Sequence, residues 1–285
     1  SRRRIVNLNP SAAPARAVTY KTTPHGELKL HFFFPPDWRQ TDRRPAILFF
    51  FGGGWTNGKP GQFFTQAEYL ASRGLVAASA EYRIRSQHPV TPFDCVEDAR
   101  SAMRYLRSHA AELGVDGERI VGSGGSAGGH IAACTALCPG PDAPGDDLKV
   151  SCRPQALVLF NPVLDLSEER VMKGLKDKMK ISPMEYLDGK CPPIIAFYGL
   201  EDKNWLAQGK RFIAKSRQLG NRIDVWFAEG QPHGFFNRKE WRESTLIKAD
   251  EFLASLGYLK GPPTLEPPEG GRLDALSPEP GAGRA

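Results

Sequence analysis

The segment IVGSGGSAGGH, residues 120–130, constrains the fold more than any other part of the chain. A short apolar run leads into Ser126, which is surrounded by glycines, and a helix-forming stretch follows. Gly124 and Gly128 complete the pattern G-x-S-x-G, which is typical of a sharp turn between a strand and a helix. Side chains at these two positions would collide with the strand or the helix. The pattern therefore predicts that the hydroxyl of Ser126 lies at the edge of a sheet, at the N-terminus of a helix.

A nucleotide-binding turn is an alternative interpretation of the same segment. Gly122, Gly124 and Ala127 also fit the spacing G-x-G-x-x-[GA]. The segment, however, follows four or five predicted strands. The acidic residue expected about twenty positions later would fall in the loop GPDAPGDD. This interpretation stays open, and the position of the segment disfavours it.

Apolar runs of strand length alternate with helical patterns along most of the chain. Such alternation is typical of an α/β fold with a mainly parallel sheet. We expect a central sheet of about eight strands flanked by helices, in which the first two strands form an antiparallel hairpin. The predicted strands are 17–22, 28–34, 46–51, 75–80, 119–123, 156–162, 192–199 and 222–228. The predicted helices are 62–72, 93–113, 126–137, 205–219 and 240–256.

The remaining segments divide the chain into one domain with two extensions. Residues 1–16 are rich in Arg, Pro and Ala and are predicted to form an N-terminal arm. Residues 17–260 form the α/β domain, and the Pro/Gly-rich residues 261–285 are predicted to be a tail. Two long loops, 82–92 and 165–191, are expected at the carboxyl ends of strands, where ligands bind. In the second loop, helical spacing favours a small cap-like insertion, through residues Val171, Leu175 and Met179.

Charge and cysteine content exclude several classes of partner. The net charge is +6 and the pI about 9.1, but the basic residues are dispersed and interleaved with acids, so we expect no nucleic-acid partner. No apolar run reaches the roughly 18 residues of a membrane span. Five cysteines without paired spacing predict no metal site, and we expect no cofactor. Any disulfide would require export, and a secreted or periplasmic protein is slightly favoured. The sequence leaves compartment and oligomeric state open.

A serine alone is a weak nucleophile and requires a base that an acid orients. Of six histidines, His233 is the strongest candidate because its segment, EGQPHGFF, directly follows the last strand. Asp202 follows the preceding strand in YGLEDKNW and is the preferred acid, with Glu201 and Asp165 as rivals. The chain order Ser, Asp, His is that of one known architecture.

A second glycine cluster, FFFGGGWTNG, follows the buried strand 46–51. We expect the backbone amides of Gly53, Gly54 and Ala127 to face a developing oxyanion. Trp55 is expected to form a wall on the acyl side. Tyr186 and Phe235 are further candidates for contact with a substrate.

Taken together, these motifs resemble the hormone-sensitive-lipase-like carboxylesterases and their acetyl- and feruloyl-esterase relatives in the α/β-hydrolase superfamily. The resemblance covers roughly residues 18–258. It depends on the segments FGGGW, AEYRI, PFDCVEDARSAMRYLR, GGSAGGH, YGLEDKNW and QPHGF. It implies that Ser126 attacks an ester carbonyl, His233 takes its proton and Asp202 orients the imidazole. It also implies that three residues are structural braces, namely Tyr82, Arg83 and Asp98.

Two positions depart from the pattern of this family. Phe51 stands where the family has a histidine that supports the oxyanion loop, and Gly125 stands where an acid usually precedes the serine. The family's long N-terminal helical cap is also missing. An open site of this kind favours substrates that are esters of bulky alcohols, such as sugars. The resemblance implies a serine carboxylesterase for short acyl (acetyl-like) or feruloyl esters, with a small-molecule or carbohydrate-linked substrate. A non-catalytic binding protein on the same scaffold, and an arylformamidase or peptidase using the same triad, are the alternatives.

Overall fold

The computed structural model describes residues 4–275, which build one nine-stranded sheet with helices on both faces. The strand order is β1-β2-β4-β3-β5-β6-β7-β8-β9. The strands are β1 (Arg16–Thr23), β2 (Gly26–Phe33), β3 (Arg44–Phe50), β4 (Val76–Ala80), β5 (Val115–Gly125), β6 (Ala156–Phe160), β7 (Ile194–Gly199), β8 (Ile223–Ala228) and β9 (Leu273–Ala275). Strands β3 to β8 are parallel, whereas β1, β2 and β9 pair in antiparallel fashion. The predicted α/β class, with a mainly parallel central sheet flanked by helices, is confirmed.

Five α-helices cover the sheet. They are α1 (Phe64–Ser72), α2 (Pro92–Ser108), α3 (Ala127–Leu137), α4 (Leu206–Gln218) and α5 (Lys239–Ser255). Helices α2, α3 and α4 contribute to the apolar cluster on one face, and α1 and α5 to the cluster on the other. Because both faces are covered, strands β4, β6 and β7 are buried at every position. This burial explains their continuous apolar sequences.

The segment predicted to be a tail is partly packed against the domain. Leu265 is only 2% exposed and belongs to the core cluster beneath α1 and α5. Strand β9 pairs with β8 and adds the ninth strand, one more than expected. The prediction of an unpacked tail is therefore wrong for residues 261–275, and residues 276–285 lie outside the described part of the chain.

The insertion 165–191 contains no α-helix, contrary to the spacing of its apolar residues. It forms turns and two short 3-10 helices, Lys178–Ile181 and Pro183–Tyr186. Three of its residues have left-handed backbone conformations that end a helix, namely Met172, Gly174 and Asp177. The apolar side chains still pack against the core, because Val171 is buried and Leu175 and Met179 lie partly buried beside it. The insertion is therefore an irregular flap.

Candidate active site

Three side chains from three separate loops converge at the carboxyl edge of the sheet. Nε2 of His233 lies 2.7 Å from Oγ of Ser126, and Nδ1 of His233 lies 2.5 Å from Oδ2 of Asp202. The aspartate is buried, whereas the imidazole keeps 31% of its side-chain surface exposed. The carboxylate can only accept at Nδ1–H, so Nε2 is left to accept the serine proton. The arrangement can activate a hydroxyl nucleophile that a ligand can reach.

The turn that carries Ser126 is held in a strained conformation. Its φ of 53° and ψ of −116° lie outside the usual regions for a residue with a side chain. The serine N–H donates to the carbonyl of Phe160 at 2.9 Å, which fixes the turn against β6. A Cβ at Gly128 would lie 2.0 Å from the oxygen of Phe50, and one at Gly124 only 2.5 Å from backbone of Gly128. The glycines are therefore required by close backbone approach.

Of the three acids considered, the structure brings only Asp202 to the histidine. Its Oδ1 accepts the N–H of Trp205 at 3.1 Å, which leaves Oδ2 for the imidazole. Asp165 instead binds the guanidinium of Arg211 at 2.9 Å. Burial raises the pKa of Asp165, but hydrogen bonds from Ser167 and Arg211 outweigh it and hold that pKa below its usual value. Asp165 is thus a structural ion-pair partner, and the exposed Glu201 has no such contact with His233.

Asn161 positions the histidine loop, and the sequence analysis did not single it out. It follows β6 with a left-handed φ of 37° and is completely buried. Its Oδ1 accepts the N–H of Gly234 at 2.8 Å, directly after His233. Positive φ is enriched for asparagine, so an Asn-Pro pair at the end of a buried strand was an available signal.

The glycine cluster after β3 exposes backbone amides beside Ser126. Gly53 and Gly54 have φ of 140° and 62°, and their N–H groups have no acceptor among residues 4–275. The N–H of Ala127, at the start of α3, likewise has no acceptor in that part of the chain. The preceding amide, Gly52 N–H, is already bound to Oε1 of Gln62 at 2.7 Å. The three unpartnered amides are the donors that an oxyanion hole requires.

Two side-chain contacts support this loop in place of the histidine that the resemblance implied. The ring of Phe51 stacks on Tyr82 with centroids 4.2 Å apart, and the Tyr82 hydroxyl donates to the Phe51 carbonyl at 2.6 Å. On the other side, Nε2 of Gln62 donates to Oδ1 of Asn237 at 3.1 Å. Gln62 thus links the oxyanion loop to the loop of His233. At position 51, ring stacking on Tyr82 takes the place of the hydrogen bonds that a histidine side chain would form.

The predicted substrate-contact residues have different outcomes. A cavity of about 410 Å³ contains Ser126 and His233, and Trp55 lines it. Phe235 does not line it, and its ring packs edge-on against Trp241 instead. The neighbouring Phe236 lines the cavity instead, so the expectation for Phe235 is corrected. Tyr186 lies on the flap beside the core and does not line this cavity either.

His130, one turn into α3, connects three parts of the site. Its Nδ1 accepts the indole N–H of Trp55 at 3.0 Å, and its Nε2 lies 2.7 Å from the carbonyl of Ile181 in the flap. Burial lowers the pKa of His130 to about 4. The sequence analysis did not single out this residue. A lone imidazole on an otherwise apolar helix next to Ser126 was the available signal.

The described residues contain no cluster of three or more His, Cys, Asp or Glu side chains that could hold a metal ion. No helix among residues 4–275 is long and apolar enough to cross a membrane. All five cysteines are free thiols in the structure. Burial raises the pKa of the Cys191 thiol to about 12, and it raises the pKa of Cys95 even further.

Known proteins with similar sequences are esterases. Residues 30–170 match the BD-FAE family. The chain is 29% identical over 247 residues to the probable carboxylic ester hydrolase LipM of Mycobacterium tuberculosis, covering 78% of this chain and 56% of that protein. It is 26% identical over 245 residues to the probable isoprenylcysteine alpha-carbonyl methylesterase ICMEL1 of Arabidopsis thaliana, covering 76% and 50%. The chain thus spans about half the length of these curated relatives.

Solved structures match over a larger share of their length. The apo form of Thermogutta terrifontis esterase 2 superposes with a TM-score of 0.83 at 44% identity, covering 90% of this chain and 100% of that one. The same esterase phosphoramylated by tabun matches with the same values. Given this identity over a complete esterase, the chain belongs to the α/β-hydrolase carboxylesterase family.

Proposed function

We propose that this protein is a serine carboxylesterase that hydrolyses short-chain acyl esters through an acyl-enzyme intermediate. The observation that carries the proposal is the continuous chain of hydrogen bonds from Ser126 through His233 to Asp202, at 2.7 Å and 2.5 Å. At its Ser126 end, this series of hydrogen bonds lies beside unpartnered backbone amides, in a cavity that reaches solvent. Nucleophile, base, orienting acid and oxyanion donors are the parts that acyl transfer needs.

Acylation follows from the geometry. Oγ of Ser126 attacks the ester carbonyl carbon while Nε2 of His233 takes the hydroxyl proton. The carbonyl oxygen becomes an oxyanion, and the N–H groups of Gly53, Gly54 and Ala127 stabilise it; each such donor contributes on the order of 3 kcal/mol in comparable sites. The imidazolium then gives its proton to the alkoxide oxygen as the carbon–oxygen bond breaks. Asp202 stabilises the imidazolium and holds Nδ1–H in place.

Deacylation repeats these steps with water as the nucleophile. Nε2 of His233 takes a proton from the water as its oxygen attacks the acyl carbon, and the same amides hold the second oxyanion. The proton returns to Oγ of Ser126 when the acyl–serine bond breaks. The products are a carboxylic acid and the free serine hydroxyl. Both half-reactions thus use the same three side chains and the same backbone amides.

The size of the cavity, and the absence of flap residues from its lining, favour an ester with a short acyl group and a bulky alcohol. The cavity of about 410 Å³ around Ser126 is lined by no residue of the flap 165–191, so the alcohol side has room. Thermogutta terrifontis esterase 2 has been solved with propionate bound and with butyrate bound. We therefore propose acetyl to butyryl groups as the preferred acyl part, with carbohydrate as a candidate alcohol. Feruloyl esters are the second candidate, which the match to the BD-FAE family favours.

The test of this proposal is Ser126→Ala assayed with p-nitrophenyl acetate. We expect turnover to fall by several orders of magnitude, because no other hydroxyl has this base. Ser11→Ala is the matched control, because Ser11 is exposed and lies far from Ser126 in the sequence. Circular dichroism establishes that both variants are folded. Wild-type turnover by Ser126→Ala would overturn the proposal.

A substrate panel then identifies the bond and the acyl group. It varies acyl length and alcohol bulk independently and includes methyl ferulate, acetylated sugars, formanilides and peptides. The highest kcat/KM is expected for short acyl esters. A preference for formanilides or peptides would assign the triad to the alternative hydrolases. A folded protein that neither turns over any member nor reacts with a fluorophosphonate would be a binding protein.

A further inference from the structure

A second cavity, of about 550 Å³, lies next to the one that contains Ser126. The two cavities share Gly54 and Trp55, so the indole separates them while the oxyanion loop borders both. The second cavity lies between the two loops that the sequence analysis expected near ligands, 82–92 and 165–191. A long substituent of an ester held at Ser126 would enter the second cavity beside Trp55, a residue that lines both.

The lining of this second cavity combines apolar walls with uncompensated positive charge. Its apolar surface comes from Trp55, Val90, Met172 and Leu175 among others, and its charges are those of Arg85 and Lys173. None of its lining residues carries a carboxylate. Within residues 4–275, neither Arg85 nor Lys173 forms an ion pair. By contrast, Arg83, two residues before Arg85, forms an ion pair with Asp98 at 2.9 Å.

The nearest acid in the chain after the lining residue Thr91 is already engaged. Asp94 accepts the N–H of Thr91 at 2.8 Å and lies 3.9 Å from the guanidinium of Arg83. It is not among the residues that line the cavity. This carboxylate therefore interacts with Thr91 and Arg83 and does not pair with Arg85 or Lys173.

Each cation is carried by a segment that hydrogen bonds to backbone carbonyls hold in place. The N–H of Arg85 donates to the carbonyl of Trp55 at 3.1 Å, which ties its loop to the oxyanion loop. On the flap, the ammonium of Lys178 donates to the carbonyls of Glu168 and Val171 at 2.8 Å and 2.7 Å and closes the turn that presents Lys173. The cost of ordering the backbone around a ligand is thereby reduced.

We propose that this second cavity is a specificity site for esters whose remote end carries a carboxylate on an apolar spacer. The spacer contacts the apolar walls, and the carboxylate lies between the guanidinium of Arg85 and the ammonium of Lys173. The inference rests on the proposed esterase function, because it assigns the remote part of that same substrate. The carboxylate can belong to the acyl branch, as in a dicarboxylic acid monoester, or to the alcohol branch.

The experiment compares kcat/KM for pairs of esters that differ in this charge. The acyl arm uses p-nitrophenyl hemiglutarate against p-nitrophenyl valerate, and the alcohol arm uses 4-carboxyphenyl butyrate against 4-acetylphenyl butyrate. Each pair is measured in the wild type, in Arg85→Gln, in Lys173→Met and in the double variant. Lys176→Met is the matched control, because it removes a flap charge that does not line the cavity. The two esters of a pair differ in intrinsic reactivity. This difference is the same in every variant, so it cancels when the ratio of their kcat/KM values is compared between variants.

In one arm, we expect each single variant to lower the anionic-to-neutral ratio about threefold and the double variant about tenfold. Lys176→Met should leave the ratio unchanged, and added salt should reduce the ratio in the wild type. The arm that responds identifies the branch. Unchanged ratios in both arms, with neutral esters still hydrolysed, would overturn this inference and leave the proposed function intact.

A binding measurement separates the two proposals if turnover is absent. The Ser126→Ala variant is titrated with methyl hemiglutarate and with methyl valerate by calorimetry. Tighter binding of the anionic ester that Arg85→Gln and Lys173→Met weaken would support the cavity assignment even without hydrolysis. Equal binding of these two esters, together with equal binding of 4-carboxyphenyl butyrate and 4-acetylphenyl butyrate, would contradict it on both branches.

Discussion

The indole N–H of Trp55 donates a hydrogen bond of 3.0 Å to Nδ1 of the completely buried His130. Because the carbonyl of Ile181, 2.7 Å from Nε2, can only accept, the proton of this imidazole is on Nε2. Both nitrogens are satisfied in the neutral form alone. The oxyanion loop, helix α3 and the flap are thus joined at one uncharged histidine, and protonation would break the bond to Trp55.

This arrangement predicts a loss of stability in mild acid. Burial lowers the pKa of His130 to about 4, whereas an unfolded chain binds the proton near pH 6.5. The stability that neutral His130 contributes is complete above pH 6.5 and is lost as the pH falls toward 4, because only the unfolded state gains a proton in that interval. At pH 5 the free energy of unfolding should fall by about 2 kcal/mol more than in His130→Gln. Urea unfolding at pH 7 and pH 5 measures this difference, with the exposed His25→Gln as control. An equal pH dependence in His130→Gln and the wild type would refute it.

The serine turn predicts that Gly128→Ala is severely destabilising. The new Cβ would lie 2.0 Å from the carbonyl oxygen of Phe50, which is backbone and cannot move aside. We expect a cost of at least about 3 kcal/mol in the free energy of unfolding, or loss of soluble protein. In Gly145→Ala the new Cβ meets no atom within 4 Å, so this control should unfold like the wild type. Equal urea midpoints for the two variants would show that the close approach is not rigid.

The choice between the two acids can be tested by paired amide substitutions. Asp202→Asn removes the acceptor for Nδ1–H of His233 and should lower kcat on the order of 10⁴-fold, as in serine proteases, with little effect on KM. Asp165→Asn breaks the ion pair with Arg211 and should mainly lower stability. Steady-state kinetics and urea unfolding of both variants separate the roles. A larger loss of kcat in Asp165→Asn than in Asp202→Asn would show that Asp165, and not Asp202, orients His233.

The segment after residue 260 is predicted to support the domain. Leu265 is 2% exposed in the core cluster beneath α5. Leu265→Ala should cost about 2–5 kcal/mol in the free energy of unfolding. Leu148→Ala removes the same atoms from a residue that is 63% exposed and should have little effect. A small effect of Leu265→Ala on the urea midpoint would mean that residues 261–275 pack only loosely.

The sequence was sufficient to predict the fold where burial decides the pattern. Continuous apolar runs such as Phe49–Phe50 in β3 lie in strands covered on both faces, so their class and order could be predicted. Strand β9 has three residues in a Pro/Gly-rich segment, and its pairing with β8 depends on a contact far along the chain. In the flap, Val171, Leu175 and Met179 have helical spacing, but left-handed residues between them prevent a helix.

For the site, motifs predicted which three side chains lie together better than they predicted the residues around them. Glycines around Ser126 and the loop positions of Asp202 and His233 have strong local signals. The contact residues depend on which way a short segment turns, and in the 3-10 helix after Gly234 both Phe235 and Phe236 are buried but only Phe236 borders the cavity. The order of residues in this short segment does not determine which of the two phenylalanines borders the cavity.

The most direct test of the central claim is to locate the site of reaction with a fluorophosphonate probe. Peptide mapping of the labelled, folded protein should find one adduct, on the peptide that contains Ser126. His233→Gln should slow this labelling strongly, because Oγ then has no base. An adduct on another residue, or labelling of His233→Gln at the wild-type rate, would contradict the account.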